Sequence, residues 1–177
     1  KKKGLINKNY TKIYGLKSIQ KVRVFFPSDN LLGFTMEKDK GLFEDALKKS
    51  GNNKYTLITE IKKASPSKGK IREDFNPQEL AISYEKGGAS CLSVLTDENY
   101  FQGCKEYVTK VKEVVSIPVL RKEFIIDPLQ VIETKTLGAD CILIIIGMNS
   151  VDENKLIESM ALDIGLECIL EVHSPVS

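Results

Sequence analysis

Four charged residues stand at the ends of short apolar runs and are the strongest candidates for chemistry: Glu60, Lys62, Lys122 and Glu171. Side chains alternate along a strand, so Glu60 and Lys62 share one face of their run. Charges on an otherwise apolar row are expensive to bury unless they are paired or functional. Two amines and two carboxylates brought together would form a site that binds an anion and transfers protons.

The segment after the first of these runs offers further donors to an anion. Residues 63–70 read KASPSKGK, in which hydroxyls and lysines are donors, Pro66 stiffens the chain and Gly69 frees it. The segment lacks the glycine and lysine spacing of a Walker phosphate loop. Such a segment is a surface turn more often than a binding site, and both interpretations stay open.

Each candidate also has a purely structural interpretation. Glu60 and Lys62 form an ordinary surface pair if their strand lies at a sheet edge. Lys122 belongs to a solvated charge run if residues 121–123 face water, and Glu171 could cap a neighbouring helix. Aromatic residues are more often core residues, and a lone histidine after a strand is more often structural: Phe101, Phe124 and His173. We keep that histidine out of the predicted site.

A parallel sheet wrapped by helices is the element that would bring the charged residues together. Five strands are predicted from apolar runs rich in β-branched residues, which alternate with helical segments: Thr56–Lys62, Cys91–Thr96, Val119–Lys122, Cys141–Ile146 and Glu167–Val172. In parallel βα proteins, catalytic groups gather at the C-terminal ends of the strands. The four charged residues lie at those ends.

Helix boundaries are predicted in the same register. N-caps are predicted at Asn76 and Asp127, each before a proline, and Ser150 forms a capping box with Glu153. Three helices are expected to end at glycines: Gly87-Gly88, Gly138 and Gly165. Strands and helices therefore alternate along the chain.

The fold class is α/β, but five βα units leave two architectures open. They are the first part of a (βα)8 barrel, which would need roughly 80 further residues, or they form a five-stranded doubly wound sheet. The chain begins at Lys1 rather than Met and stops at Ser177 just after a strand, so we expect it to be cut at both ends. We divide it into a basic segment of unassigned role, residues 1–40, and a partial barrel domain, residues 41–177. In this scheme Val22–Phe26 could be a strand, and Gly41–Lys49 is the first convincing helix.

Composition and charge narrow the class of protein. The sequence is 42% hydrophobic and 28% charged, as in globular proteins. Its longest apolar run, about Cys141–Met148, falls far short of the ~20 residues that span a bilayer. Residues 1–40 hold ten Lys or Arg against three Asp or Glu, and residues 41–177 hold sixteen against twenty-one. The basic charges are spaced singly after Lys3 without a nucleic-acid-binding motif, so we expect no nucleic-acid or membrane partner.

The four cysteines show no C-x-x-C pair and no accompanying histidine cluster, so they do not indicate a metal site. Three of them lie beside or inside apolar runs, where cysteine serves as a small core residue: Cys91, Cys141 and Cys168. Buried reduced thiols are typical of a reducing compartment. We therefore expect a cytoplasmic protein.

Four segments in chain order resemble the indole-3-glycerol phosphate synthase family. They read LITEIKKASPS at residues 57–67, SVLTDENYFQG at 93–103, PVLRKEFIID at 118–127 and LEVH at 170–173. The resemblance covers the chain from about Leu42 onward. It implies a TIM barrel, of the (βα)8 type, of which only the first five units are present.

The resemblance implies a lyase of tryptophan biosynthesis that closes a ring with loss of carbon dioxide and water. The family's substrate is 1-(2-carboxyphenylamino)-1-deoxyribulose 5-phosphate, and its product is indole-3-glycerol phosphate. By this resemblance Lys122 is the general acid and Glu171 the general base. Lys62 holds the substrate carboxylate, and Glu60 orients the lysines. Three further residues are implied to bind substrate: Ser65, Phe101 and Phe124. No metal and no organic cofactor is implied.

The sequence departs from the family's pattern in a few places. Glu123 stands where aspartate is expected, and Cys104 where serine is usual. Residues 1–40 do not visibly match the family's N-terminal helical extension, and its last three strands with their phosphate-binding loops have no counterpart. We therefore expect the chain alone to be inactive and to self-associate through open barrel edges. Alternative functions are another phosphate-binding barrel enzyme, such as phosphoribosylanthranilate isomerase, or a non-catalytic binding or scaffold fragment.

Overall fold

A computed structural model describes residues 19–21, 41–48, 56–71 and 73–173 of the chain. Its strands are β1 (Ile19–Lys21), β2 (Ile58–Ile61), β3 (Ala64–Ser65), β4 (Gly69–Lys70), β5 (Cys91–Leu95), β6 (Val119–Lys122), β7 (Cys141–Ile145) and β8 (Glu167–Glu171). Its helices are α1 (Leu42–Lys48), α2 (Pro77–Lys86), α3 (Glu98–Phe101), α4 (Glu106–Lys112), α5 (Pro128–Thr136) and α6 (Val151–Asp163). The five predicted strands and the first predicted helix are confirmed, with ends that differ by at most two residues. The predicted strand at residues 22–26 lies outside the described residues.

Five parallel strands form the main sheet in the order of the chain: β2, β5, β6, β7 and β8. The strand β1 pairs antiparallel with β8 at one edge. In a doubly wound sheet the strand order reverses at a switch point. The described strands show no such reversal, so the doubly wound alternative is wrong and the order is that of a barrel.

The helices α2, α4, α5 and α6 all pack against one face of this sheet. Outward-facing strand residues form two apolar clusters with these helices, and they include Leu92, Val94, Ile142, Ile144 and Cys168. The residues between them in sequence point to the opposite face and form a third cluster with α1. Period-two alternation thus separates a helix-covered face from an inner face.

The helix α1 lies across the inner face of the sheet. The backbone N–H of Phe43 donates to Glu167 Oε2 at 2.6 Å, and the Cys91 thiol lies 3.8 Å from the carbonyl oxygen of Phe43. Glu167 and Cys91 begin β8 and β5, which are separated by two strands. Because both contacts are at strand beginnings, α1 covers the N-terminal end of the inner face.

The predicted helix caps are confirmed. The side chain of Asn76 accepts the N–H groups of Gln78 and Glu79, and Asp127 and Ser150 each form a capping box. Gly138 and Gly165, after α5 and α6, have φ of +87° and +76°, a conformation that side-chain-bearing residues rarely adopt. The helix starts therefore follow the strand ends closely and direct the loops over the C-terminal end of the sheet.

The cysteines and the ends of the chain complete the description. Cys91, Cys141 and Cys168 are buried as predicted, and Cys104 is half-buried. Within the described ranges, no helix has the length and apolar character needed to cross a membrane. The proposed boundary at residue 40 stays a prediction because residues 1–18 and 22–40 lie outside the described part.

Candidate active site

The predicted charged residues of two separate strands meet at the C-terminal end of the inner face. Lys62 Nζ lies 2.6 Å from Glu60 Oε1, and Lys122 Nζ lies 3.2 Å from Glu60 Oε2. The strand β5 separates β2 from β6, so the backbones stand about 10 Å apart. The carboxylate of Glu60 spans this gap and holds one ammonium on each oxygen. The contact between Glu60 and Lys62 is therefore part of an interaction that joins two strands, and not an ordinary surface pair within one edge strand.

The two lysines determine the charge state of Glu60. Burial raises the pKa of this carboxyl, but the hydrogen bond from Lys62 and the positive charges of Lys122 and Lys62 outweigh burial, and the net pKa is lowered. Glu60 is consequently a carboxylate at neutral pH. It neutralises one of the two ammonium charges and leaves a net positive site suited to an anion.

A pH-dependent loss of stability is expected from this arrangement. Because the pKa of Glu60 is lowered in the folded state, its contribution is present above the ordinary value of 4.5 and is lost as the pH falls through the lowered value. The free energy of unfolding of Glu60→Gln should therefore fall below that of the unmodified chain at pH 7, and the difference should shrink below pH 4.5. Urea denaturation from pH 3 to pH 7 measures it. The exposed control Glu113→Gln should show little difference, and a Glu60→Gln difference independent of pH would contradict the assignment.

An open cavity of about 190 Å³ lies beside Lys122 at the same end of the sheet. Its walls are apolar and aromatic, and its charged or ionisable groups come from the ends of three strands. The lining residues are Leu95, Asp97, Phe101, Lys122, Glu123, Phe124, Leu143, Ile145, Glu171 and His173. The rings of Phe101 and Phe124 lie 6.4 Å apart, centroid to centroid. The structure thus places Lys122, Glu171 and both predicted aromatic residues around one cavity, with Lys62 and Glu60 joined to it through Lys122.

The loop that carries Phe101 is held by a short helix with its own cap. Asp97 Oδ1 accepts the N–H groups of Tyr100 and Phe101 at 2.7 and 3.2 Å, and the N–H of Gly103 donates to the carbonyl oxygen of Asp97. These bonds fold α3 back on the end of β5. The aromatic ring is therefore placed by backbone bonds as well as by packing.

Gly103 leaves no room for a side chain, which leads to a stability prediction. A Cβ atom there would lie 2.6 Å from the carbonyl oxygen of Leu95 and 2.8 Å from that of Asp97. Both are backbone atoms that cannot swing away, so Gly103→Ala should lower the free energy of unfolding by about 1–3 kcal/mol. The matched control is Gly87→Ala, where φ is −75° and the closest contact of the Cβ atom, to the carbonyl oxygen of Ser83, would be 3.3 Å, so only a small loss is expected. Denaturation curves of both variants measure the effect, and equal curves would exclude this role of Gly103.

Behind β6, Arg121 forms a buried network on the helix-covered face. Its side chain is only 4% exposed and contacts Glu133 at 2.8 Å, Thr134 at 3.0 Å and Thr96 at 3.2 Å. Thr96 in turn donates to Glu123 at 2.6 Å. The interpretation of residues 121–123 as a solvated charge run is therefore wrong. Arg121 lies in the buried network, Lys122 lines the cavity, and Glu123 contacts both.

Ser65 lies in a short hairpin rather than an open loop. The strands β3 and β4 pair with each other, Ser65 lies opposite Gly69, and α3 packs against β3. Ser65 is half-buried and does not line the cavity. Its role in substrate binding stays a prediction.

Three ionisable residues of the cavity were not among the predicted site residues, and neither was Ser93, which lies near the site. Asp97 and Glu123 end up beside the cavity as a helix cap and as a partner of Thr96, and His173 contacts Glu171 at 2.8 Å. Ser93 lies opposite Glu60 in the sheet with a buried hydroxyl for which the described residues offer no partner. The alternation rule already places Ser93 and His173 on the inner face, so both could have been found. The described residues contain no group of three His, Cys, Asp or Glu arranged for a metal ion.

Comparison with known proteins decides the family. The family model described as indole-3-glycerol phosphate synthase matches residues 15–176. The chain belongs to this family. An indole-3-glycerol phosphate synthase of Halalkalibacterium halodurans is 52% identical over 139 residues, which cover 78% of this chain and 54% of that protein. One of Azospirillum brasilense is 53% identical over 135 residues, which cover 76% of this chain and 52% of that protein.

The family match tells which fold the chain has and how much of its relatives' length it covers. The indole-3-glycerol phosphate synthase family has the TIM-barrel fold, and five parallel strands of such a sheet are described here. The chain spans about half the length of the curated relatives it matches. The match favours the synthase over the isomerase as an interpretation of the charged residues. All seven predicted site residues lie within the range that the family model matches.

Proposed function

We propose that this chain supplies the proton-transfer half of an indole-3-glycerol phosphate synthase active site. The observation that carries the proposal is the meeting of Lys62, Glu60 and Lys122 beside a cavity that Lys122 shares with Glu171. Relatives about 50% identical bear the synthase name. The substrate would be 1-(2-carboxyphenylamino)-1-deoxyribulose 5-phosphate, and the reaction would belong to tryptophan biosynthesis.

In the proposed reaction a ring carbon of the substrate attacks its ketone carbon, and carbon dioxide and then water leave. Lys122 protonates the ketone oxygen to a hydroxyl as the new carbon–carbon bond forms, and loss of carbon dioxide restores the aromatic ring. A second proton, delivered by Lys122 after it is reprotonated from solvent, lets the hydroxyl leave as water. Glu171 takes the proton from the neighbouring carbon that bears the nitrogen, and the double bond of the new five-membered ring forms. Lys62 holds the substrate carboxylate until it leaves, with Glu60 fixing both ammonium groups. Proton donor and acceptor thus line the same cavity.

Binding of the substrate's aromatic ring and orientation of the sugar-derived part of the substrate would account for much of the remaining rate enhancement. Phe101 and Phe124 offer apolar surface for the ring, and Ser65 offers a hydroxyl to the substrate. Holding the ring carbon against the ketone removes the entropy cost of bringing them together. The lysines supply a positive field where negative charge must be bound.

The cavity is too small to hold the whole substrate. Its volume of about 190 Å³ lies below the roughly 300–1,000 Å³ of sites that enclose a ligand. We therefore assign ring closure to this chain and phosphate binding to the half of the family's length that it does not match. Among the described residues no strand pairs with the outer edge of β2, and an edge of this kind can accept a further strand. Light scattering at micromolar concentration should detect association of the chain alone, and a compact monomer would count against this.

Growth of a tryptophan auxotroph tests the proposed function. The chain is co-expressed with the half of the Halalkalibacterium halodurans relative that it does not match, in a strain lacking this synthase. Growth without tryptophan is expected for this pair and not for either half alone. Lys122→Met should abolish growth, while the exposed Lys110→Met on α4 should not. If the two halves co-purify and the strain still requires tryptophan, the proposal is wrong.

A further inference from the structure

His173 lines the cavity and contacts the side chain of Glu171. Glu171 ends β8 with its side chain 17% exposed, and His173 follows two residues later with its side chain 69% exposed. Residues two apart in an extended chain share a face, so both point inward at the cavity rim. Nε2 of His173 lies 2.8 Å from Oε1 of Glu171. The imidazole thus connects a half-hidden carboxylate to solvent.

The other charged groups around the cavity are engaged elsewhere. Asp97 Oδ1 accepts two backbone N–H groups, Glu123 contacts Thr96 and the N–H of Phe124, and Lys122 contacts Glu60. His173 contacts Glu171, while the other three groups contact residues other than His173. This selectivity makes the contact specific to the carboxylate assigned as the base.

A hydrogen bond on one oxygen has a defined effect on a carboxylate base. The terminal torsion of a glutamate is broad, so an unrestrained carboxylate samples many orientations. A donor on Oε1 fixes the plane of the group and leaves Oε2 for proton transfer. Among the residues that the structure describes, no donor contacts Oε2 of Glu171. The geometry is that of an oriented base with one working oxygen.

We propose that His173 is a positioning residue for Glu171, which aims Oε2 at the substrate by holding Oε1. The inference rests on the proposed function, because the role of Glu171 as the base belongs to it. His173 touches no reacting atom in this scheme. Its loss therefore affects the chemical step and not substrate binding, and a side chain that restores the donor restores the rate.

Steady-state kinetics of the two-half enzyme test this role. His173→Ala should lower kcat about tenfold, a part of the ~100- to 10,000-fold that a positioned base supplies. The KM should stay within about twofold, because the side chain binds no substrate in this scheme. His173→Gln is the matched variant, since its amide nitrogen can replace Nε2, and it should recover most of the lost kcat. Equal losses in both variants, or an unchanged kcat in His173→Ala, would overturn the inference while the proposed function stands.

Nuclear magnetic resonance tests the contact without turnover. The sequence contains one histidine, so the imidazole nitrogen signals need no assignment by mutation. We expect the tautomer protonated on Nε2, and Glu171→Gln should change the ring nitrogen shifts. Identical spectra in the two proteins would overturn the pairing. An intact pairing in an inactive two-half enzyme would instead refute the proposed function, and with it any role of His173 in catalysis.

Discussion

Replacing Lys122 with Met in the two-half enzyme is expected to lower kcat by about 1,000-fold or more, because the proton donor to the ketone oxygen is lost. Methionine retains the aliphatic stem that lies against the cavity wall. Lys62 still contacts Glu60 in this variant, so the carboxylate is not left without a partner. The thermal midpoint should therefore change little. Initial rates of indole-3-glycerol phosphate formation and thermal melting of the same preparations measure both effects.

Lys110→Met is the control for this prediction, since Lys110 is exposed on α4 far from the strand ends. It should retain full activity and an unchanged melting curve. A Lys122→Met enzyme with more than a tenth of the original kcat would remove Lys122 from its role as proton donor. A large fall in the thermal midpoint would instead mean that Lys122 contributes mainly to the fold.

Replacing Arg121 with Met is expected to lower the free energy of unfolding by about 1–3 kcal/mol, because it removes the buried guanidinium that donates to Thr96, Thr134 and Glu133. The guanidinium connects the end of β5 with α5 through Thr96, Glu133 and Thr134. Methionine fills part of the volume but donates no hydrogen bond. Equilibrium unfolding in urea, monitored by far-ultraviolet circular dichroism, measures the change.

Arg121→Lys and Lys155→Met are the comparisons for this variant. Lysine keeps the charge but not the planar set of donors, so an intermediate loss is expected. Lys155 pairs with Asp152 on the exposed side of α6, and its removal should cost within about 0.5 kcal/mol. A loss below about 1 kcal/mol for Arg121→Met would show that the network adds little to the stability of the fold.

Short-range patterns in the sequence predicted the strands, the helix starts and the placement of Glu60, Lys62 and Lys122 in the site. Apolar runs rich in β-branched residues marked all five parallel strands, and the Asn76, Asp127 and Ser150 caps marked the helix starts. Alternation along strands placed Glu60 with Lys62 and placed Lys122 on the inner face. These features depend on residues near one another in the chain, so a single sequence suffices to find them.

Contacts between distant segments could not be predicted in the same way. The burial of Arg121 depends on Glu133 and Thr134 of the next helix, and the sequence pattern suggested a solvated charge run instead. The position of α1 on the inner face depends on the contact of Phe43 with Glu167, which lies 124 residues further along the chain. The pattern of strands and helices alone left a doubly wound sheet possible beside the barrel. Such features follow from packing and not from local periodicity.

Two of the residues that the predictions left out had signals that could have identified them. His173 follows Glu171 by two residues, which places both on one face, and the low frequency of catalytic roles for lone histidines outweighed that spacing. Asp97 stands three residues before Tyr100, a spacing typical of an N-cap. At the cavity rim the spacing of residues in the sequence was informative, but the general rarity of catalytic lone histidines decided the prediction instead.

If Lys62, Lys122 and Glu171 of this chain act together on one substrate, the chain must support formation of the products. Measuring those products is the most direct test. The purified chain is mixed with the unmatched half of the Halalkalibacterium halodurans relative and given 1-(2-carboxyphenylamino)-1-deoxyribulose 5-phosphate. We expect one carbon dioxide released for each indole-3-glycerol phosphate formed, and neither product after Lys122→Met. A folded two-half assembly that forms no indole product, or one that works equally well without Lys122, would contradict the claim.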